Sequence, residues 1–338
     1  MSQNLLVTPG PHLRHSYTTQ KVMLDVVIAL LPAVVAAGIF FRLHAAILIG
    51  TCVISCVLTE YICNRVRRKP NSLGDLSAVI TGLILALSLP PMLPWWAGVI
   101  GSAFAIAIGK MVYGGLGCNI FNPAMIGRTF LTACFGVLMT TWTVPATVNP
   151  DMPQVSQSSI TVDAITRATP LALSKDAIKG KASTEFAPKI MRNLFWGDRP
   201  GCLGETSSFA LGLGALYLIF RFTISWELPF AVLLGAYVAA AAAHWINPAH
   251  YMTPIVHILS GGMLLCAFFI ATDPVTAPIT RLGGYIFGIG VGVMTILIRT
   301  VGEYPEGVMF AVLLMNALTP MIDRITKQKP IGGATIVK

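Results

Sequence analysis

"TGLILALSLPPMLP" at residues 81–94 and "SGGMLLCAFFIATDPVTAP" at 260–278 are the two stretches on which the fold turns. Each sets a small residue and a glycine ahead of an apolar run, then closes on two prolines four apart, Pro90 with Pro94 and Pro274 with Pro278. Proline removes a helical hydrogen bond, and backbone interrupted at membrane depth has to be buried or line a cavity. Two such interruptions in one chain point to an internal repeat, and a repeat with an odd number of helices is inverted in the membrane. The likeness of "FNPAMIGR" (121–128) to "ALTPMIDR" (317–324) extends the same pattern.

Composition places these stretches in a membrane. Of 338 residues 55% are hydrophobic and 11% charged, and the mean hydropathy is +0.73. That is more apolar surface than one soluble core hides. Runs of roughly 20 apolar residues, enough to cross the hydrocarbon, recur at about 22–41, 44–63, 77–91, 95–113, 123–143, 206–222, 226–245, 255–271, 282–299 and 305–321. The expected architecture is an all-α polytopic membrane protein of about ten helices in a five-plus-five inverted repeat with broken helices. Residues 1–143 form the first repeat, 144–205 a polar loop, and 206–338 the second repeat with a C-terminal tail.

Charge orients it. No cleavable signal is evident, because the polar "PGPHLRHSYTTQK" leads straight into a full span. With the N-terminus inside, fourteen Lys and Arg fall on the cytoplasmic side, against Arg42 and Arg299 in the short outer loops. The seven in 144–205 are discounted because long loops cross regardless of charge. Both termini are therefore expected in the cytoplasm of a bacterial-type membrane, and the 144–205 loop outside. The net charge of +9 is then topology; no basic patch interleaved with aromatics marks a nucleic-acid partner.

The chemistry-bearing residues are few. Seven cysteines include no CxxC pair, so no self-contained iron–sulfur or zinc site is expected. Six of them fall in or beside spans and Cys202 lies outside; Cys118 stands beside a candidate site. The six histidines do not cluster. "NIFNPA" and "ATDPVTAP" lie at the cytoplasmic ends of spans five and eight, so Asn119, Asn122 and Asp273 can converge there. For the two asparagines, capping before a proline is an equally good reading. For Asp273, Arg281 or Arg128 is the expected structural partner. Asp25, Glu60, Lys110, Glu227 and Glu303 sit near span ends, where side chains snorkel into the headgroups. Broken helices in an inverted repeat suit a channel or secondary transporter as well as a redox protein.

On "PHLRHSYTTQKVMLDVVIALLPA", "GLGCNIFNPAMIGRTFL", "ATDPVTAP" and "DAITRATPL", the chain resembles the NqrB/RnfD family of membrane subunits over nearly its whole length. It is shorter at the N-terminus than the NqrB branch and closer to the RnfD branch, subunits of the Rnf ion-translocating electron transport complex. "DAITRATPL" matches the family's flavinylation pattern, an Asp, a Ser or Thr three residues on, then Ala-Thr. The resemblance implies that Thr169 carries FMN through a phosphoester. Asp163, Thr166 and Ala168 would present it to a flavin transferase working outside the cytoplasm. Charge independently puts this segment outside.

The resemblance further implies a noncovalent riboflavin, placed by the "NIFNPA" and "ATDPVTAP" turns. It implies electron exchange between ferredoxin and NAD, coupled to movement of sodium ions or protons. The partners are the other subunits of the Rnf complex, among them a second FMN-bearing subunit and iron–sulfur subunits. Nucleotide binding falls to partners, in keeping with the lack of a Gly-rich dinucleotide motif here.

Overall fold

A computed structural model describes residues 18–142, 171, 175, 194–197, 200–248, 250–302, 304 and 306–327. The described residues are helical, with no strand among them. Four helices are long and apolar enough to cross a membrane: Thr19–Val66, Glu227–Ile246, Arg281–Thr300 and Val308–Ile325. Large apolar side chains stand on the outer surface, Leu31, Val35, Ile39 and Leu43 of the first helix among them, each about half or more exposed. A surface this apolar is built for lipid, and the protein is a membrane protein.

The first two expected spans form one helical run. Thr18 caps it, its hydroxyl accepting from Lys21 N at 3.3 Å, and the run bends at Arg42, whose φ of 49° is non-helical. Ser77–Leu87 and Trp95–Ile106 are the next two, the second continuing as a π turn over Ala107–Met111. Pro123–Cys134 is followed by the short Gly136–Thr140, and Ser208–Phe220 precedes Glu227–Ile246.

Both proline-marked stretches are broken. Ser77–Leu87 stops where Pro90 and Pro91 forbid continuation, and the freed Leu89 carbonyl accepts from Leu203 N at 3.1 Å. The later stretch breaks twice. Pro254–Leu259 ends at Ser260, with Gly261 at φ +66°, and the chain resumes over Met263–Leu265 and a π turn, Cys266–Ile270, before the Asp273 turn. The "FNPAMIGR" and "ALTPMIDR" segments, by contrast, are not equivalent. Pro123 is the first residue of its helix, whereas Pro320 lies deep in Val308–Ile325. That likeness is local composition rather than repeat.

Glycines set the closest packing. Gly288 and Gly292 press the Arg281–Thr300 helix onto Glu227–Ile246, as small residues four apart do in membranes. A Cβ on Gly292 would lie 2.3 Å from the Val232 carbonyl oxygen and 2.5 Å from Ala236 N. Neither backbone atom can swing aside, so Gly292→Leu is expected to cost about 3 kcal/mol, at the top of the usual overpacking range. Gly212→Ala, with nothing within 4 Å of its Cβ, should leave the melting temperature in detergent unchanged or raise it slightly.

The ionisable residues expected to snorkel are instead buried and paired. Asp25 is 4% exposed and accepts from Tyr217 Oη at 3.0 Å, Thr223 Oγ1 at 3.2 Å and Arg221 Nη2 at 3.3 Å. This ties the start of the first helix to the end of Ser208–Phe220. Glu60 and Lys110, 0% and 1% exposed, meet at 2.8 Å. Glu227 pairs with the exposed Arg281 at 3.6 Å; Glu303 lies outside the described residues. Snorkelling fails for Asp25, Glu60 and Lys110 because each has a partner on another helix, which makes burial cheaper than a stretched side chain.

Candidate functional site

The turn before Pro123–Cys134 is shaped by glycine. Gly114, Gly115 and Gly117 all have positive φ, a conformation other residues rarely take. They fold the chain back so that Asn119 and Asn122 face the core of the helices. Asn122 caps the helix, its Oδ1 accepting from Ala124 N at 3.1 Å and Met125 N at 3.3 Å, with Pro123 at the first position. Asn119 donates from Nδ2 to the Phe121 carbonyl at 3.1 Å. Its Oδ1 is buried and has no hydrogen-bond donor among the described residues.

Asp273 arrives from the second broken stretch. Its carboxylate takes Val275 N at 3.2 Å and Thr276 Oγ1 at 3.1 Å, closing its own turn. Neither expected arginine reaches it. Arg281 pairs with Glu227, and Arg128 sits near Glu205 and Glu306. The proline turn supplies enough donors to hold the carboxylate without a cation.

Asn119, Asn122 and Asp273 line one pocket, together with Ser77, Lys110 and Thr223. Its apolar walls come from Ile80, Ile84, Leu218 and Phe268. Apolar walls with a few converging polar groups suit a planar ligand that has a greasy face and a hydrogen-bonding edge. The donorless Asn119 Oδ1 is an acceptor waiting for an N–H or O–H, since a buried polar atom left unmade is costly. Isoalloxazine offers such an N–H beside two carbonyls. The residues present therefore fit a flavin ring.

A second polar cluster is not legible in the sequence as a unit. Arg128 lies 3.9 Å from Glu205, 4.0 Å from Glu306 and 3.4 Å from the Cys202 sulfur. Arg299 pairs with Glu306 at 3.3 Å and donates to the carbonyls of His257 at 2.6 Å and Ser260 at 3.1 Å. Gly262 N donates to the Glu306 carboxylate, satisfying the end of the broken helix. All four charged side chains are buried, and so are His257 and Cys202. Arg299 and Cys202, expected in outer loops, are thus interior residues. The sequence signal for this cluster is slight, Arg299 and Glu306 facing each other across one short connection.

Asp163, Thr166, Ala168 and Thr169 lie outside the described residues. Leu171, two positions beyond Thr169, is buried against Leu194, Met252 and Val256.

A profile of the NQR2, RnfD, RnfE family matches residues 6–332. The chain belongs to that family. Among its relatives, the D component of the Na(+)-translocating ferredoxin:NAD(+) oxidoreductase complex of Acetobacterium woodii is 43% identical over 99% of this chain and 97% of that protein. Its counterpart in the proton-translocating ferredoxin:NAD(+) oxidoreductase complex of Clostridium ljungdahlii is 41% identical over 96% of each chain. The corresponding component of the ion-translocating oxidoreductase complex of Sodalis glossinidius is 39% identical over 96% of this chain and 98% of that one. Family membership thus agrees with the resemblance carried by "DAITRATPL", "NIFNPA" and "ATDPVTAP".

Proposed function

We propose that this chain is the D-type membrane component of an Rnf complex, a ferredoxin:NAD oxidoreductase that moves Na+ or H+ across a bacterial cytoplasmic membrane. It is not active alone. Electrons pass through FMN esterified to Thr169 and a riboflavin in the pocket of Asn119, Asn122 and Asp273. Other Rnf subunits, including a second FMN-bearing subunit and iron–sulfur subunits, complete the relay, and a flavin transferase loads Thr169. The full-length identity to D components of ferredoxin-linked complexes favours this over a quinone-linked NqrB-type role.

The observation that carries the redox reading is the meeting of two separate turns in one cavity, with Asn119 Oδ1 left as a buried acceptor. Flavins supply the electron chemistry; the protein binds, orients and tunes them. Asn122 and Asp273 are occupied in holding their own turns and act as the frame, while Asn119 is the free hydrogen-bonding group. The ten-span, five-plus-five topology belongs to the same reading. Lys110, Arg128 and Arg299 drop out of the loop-charge count because they are buried. Twelve cytoplasmic-side cations still face Arg42 alone in the short outer loops, so the termini stay inside and 144–205 outside.

Acid extraction of the purified complex tests the pocket. The native complex should release one noncovalent riboflavin from this chain. Asn119→Leu should weaken its binding about tenfold or more, the cost of one unmade buried hydrogen bond, and so lower the amount that survives purification, while covalent flavin is retained. A colourless native chain, assembled in the presence of an active transferase, would instead favour a flavin-free channel or secondary transporter.

A further inference from the structure

Among the described residues, Lys110 is the one cation that lines the pocket. It stands on the π turn Ala107–Met111, where Val112 N reaches back to the Ala107 carbonyl and the extra residue pushes the helix outward. Its ammonium donates to Glu60 Oε2 at 2.8 Å and to Ser77 Oγ at 2.5 Å. An ammonium has three hydrogens, and the third has no partner among the described residues. Lys110 and Ser77 both line the cavity.

Glu60 is not part of the lining, yet it is wholly buried and held from behind. Ser72 Oγ donates to Glu60 Oε1 at 2.5 Å, and Asn64 Nδ2 donates to Ser72 Oγ at 2.9 Å. The carboxylate is thus fixed against the ammonium without itself lining the cavity. Its position determines how much of the lysine's charge the pocket feels.

Resting on the flavin reading of this pocket, we infer that Lys110 donates its third N–H to the ring bound there and, with Glu60, sets its reduction potential. Electrons delivered to an isoalloxazine by a partner's iron–sulfur or flavin centre place negative charge on the pyrimidine edge of the ring. A fixed cation at that edge stabilises the reduced form and raises the potential. The acceptor Asn119 Oδ1 and the donor Lys110 together read the alternating N–H and C=O groups of that edge. Glu60 is a positioning residue: it never touches the ring, but it offsets the ammonium and keeps the potential from rising further.

The test is a spectroelectrochemical titration of the purified, flavin-loaded complex, following the noncovalent flavin. Glu60→Gln keeps the side chain's shape and removes its charge, so the midpoint should rise. Lys110→Met should lower it, and Lys110→Arg should hold it near native. Because Lys110→Met strands a buried carboxylate, Lys110→Met/Glu60→Gln is the neutral comparison, and its midpoint should fall below that of Glu60→Gln alone. The covalent flavin should keep its potential in every variant. Unchanged midpoints with the noncovalent flavin still bound overturn the inference. So does loss of that flavin from Glu60→Gln with covalent flavin retained, since the pair would then shape the pocket rather than tune it. A native complex with no noncovalent flavin overturns the flavin reading of the pocket instead.

Discussion

Thr169→Val should abolish the flavin fluorescence of the denatured chain in a gel, whereas the native chain, expressed with its flavin transferase, should give a bright band. The expected effect is all-or-none because it concerns a bond and not an affinity. A phosphoester requires a hydroxyl oxygen, and valine replaces that hydroxyl by a methyl group of nearly the same size. The nearest described residue, Leu171, is anchored by its side chain in a small apolar cluster. Thr166→Val is the informative companion. It should slow loading without abolishing it, since the role proposed for Thr166 is to present the segment to the transferase and not to carry flavin. An undiminished band in Thr169→Val would move the attachment elsewhere in the chain. No band in either, with a transferase active on another substrate, would remove the covalent flavin from the function altogether.

The largest stability loss is expected at Glu306. Its carboxylate faces Arg299 at 3.3 Å and Arg128 at 4.0 Å, and it receives Gly262 N at the break in the second proline-marked stretch. Glu306→Ala leaves Arg128 with Glu205 as its remaining carboxylate, leaves Arg299 with only the His257 and Ser260 carbonyls among the described residues, and frees a backbone N–H in the interior. Removing one partner of a buried ion pair typically costs about 3–5 kcal/mol, and thermal unfolding in detergent should show a loss of that order. Glu306→Gln keeps the hydrogen-bond acceptor and should cost less. The contrast is Glu227→Ala, whose partner Arg281 is 88% exposed. An exposed pair of this kind is worth about 1 kcal/mol or less, so its melting temperature should hardly move. Equal losses at the two sites would mean that the Arg128–Arg299 cluster is wetter than its burial indicates.

Much of this is readable in the chain because it rests on local chemistry. Prolines break helices wherever they stand, so the interruptions at 88–94 and 271–280 follow from Pro90, Pro91, Pro274 and Pro278. Asn122 before Pro123 is a helix start by composition alone, and it is one. The convergence of Asn119, Asn122 and Asp273 is legible because two turns expected at the same membrane face have little room to avoid each other. Partners are another matter. Proximity in the chain suggests an arginine for Asp273 that it does not have. Lys110 and Glu60, fifty residues apart, look in the sequence like separate snorkelling side chains although they form a buried pair.

The sequence by itself determined that the chain is an all-helical membrane protein, where its helices break, which family it belongs to, and which threonine is the candidate flavin acceptor. Each of these depends on residue type, hydropathy or spacing within a few turns of chain. Only the tertiary structure decided which charges neutralise one another: Asp25 with Arg221, Glu60 with Lys110, and Glu306 with Arg299 and Arg128. A buried charge needs a partner, but any opposite charge brought within reach satisfies it. Which one comes within reach is set by helix packing and by the glycine contacts that bring Arg281–Thr300 against Glu227–Ile246.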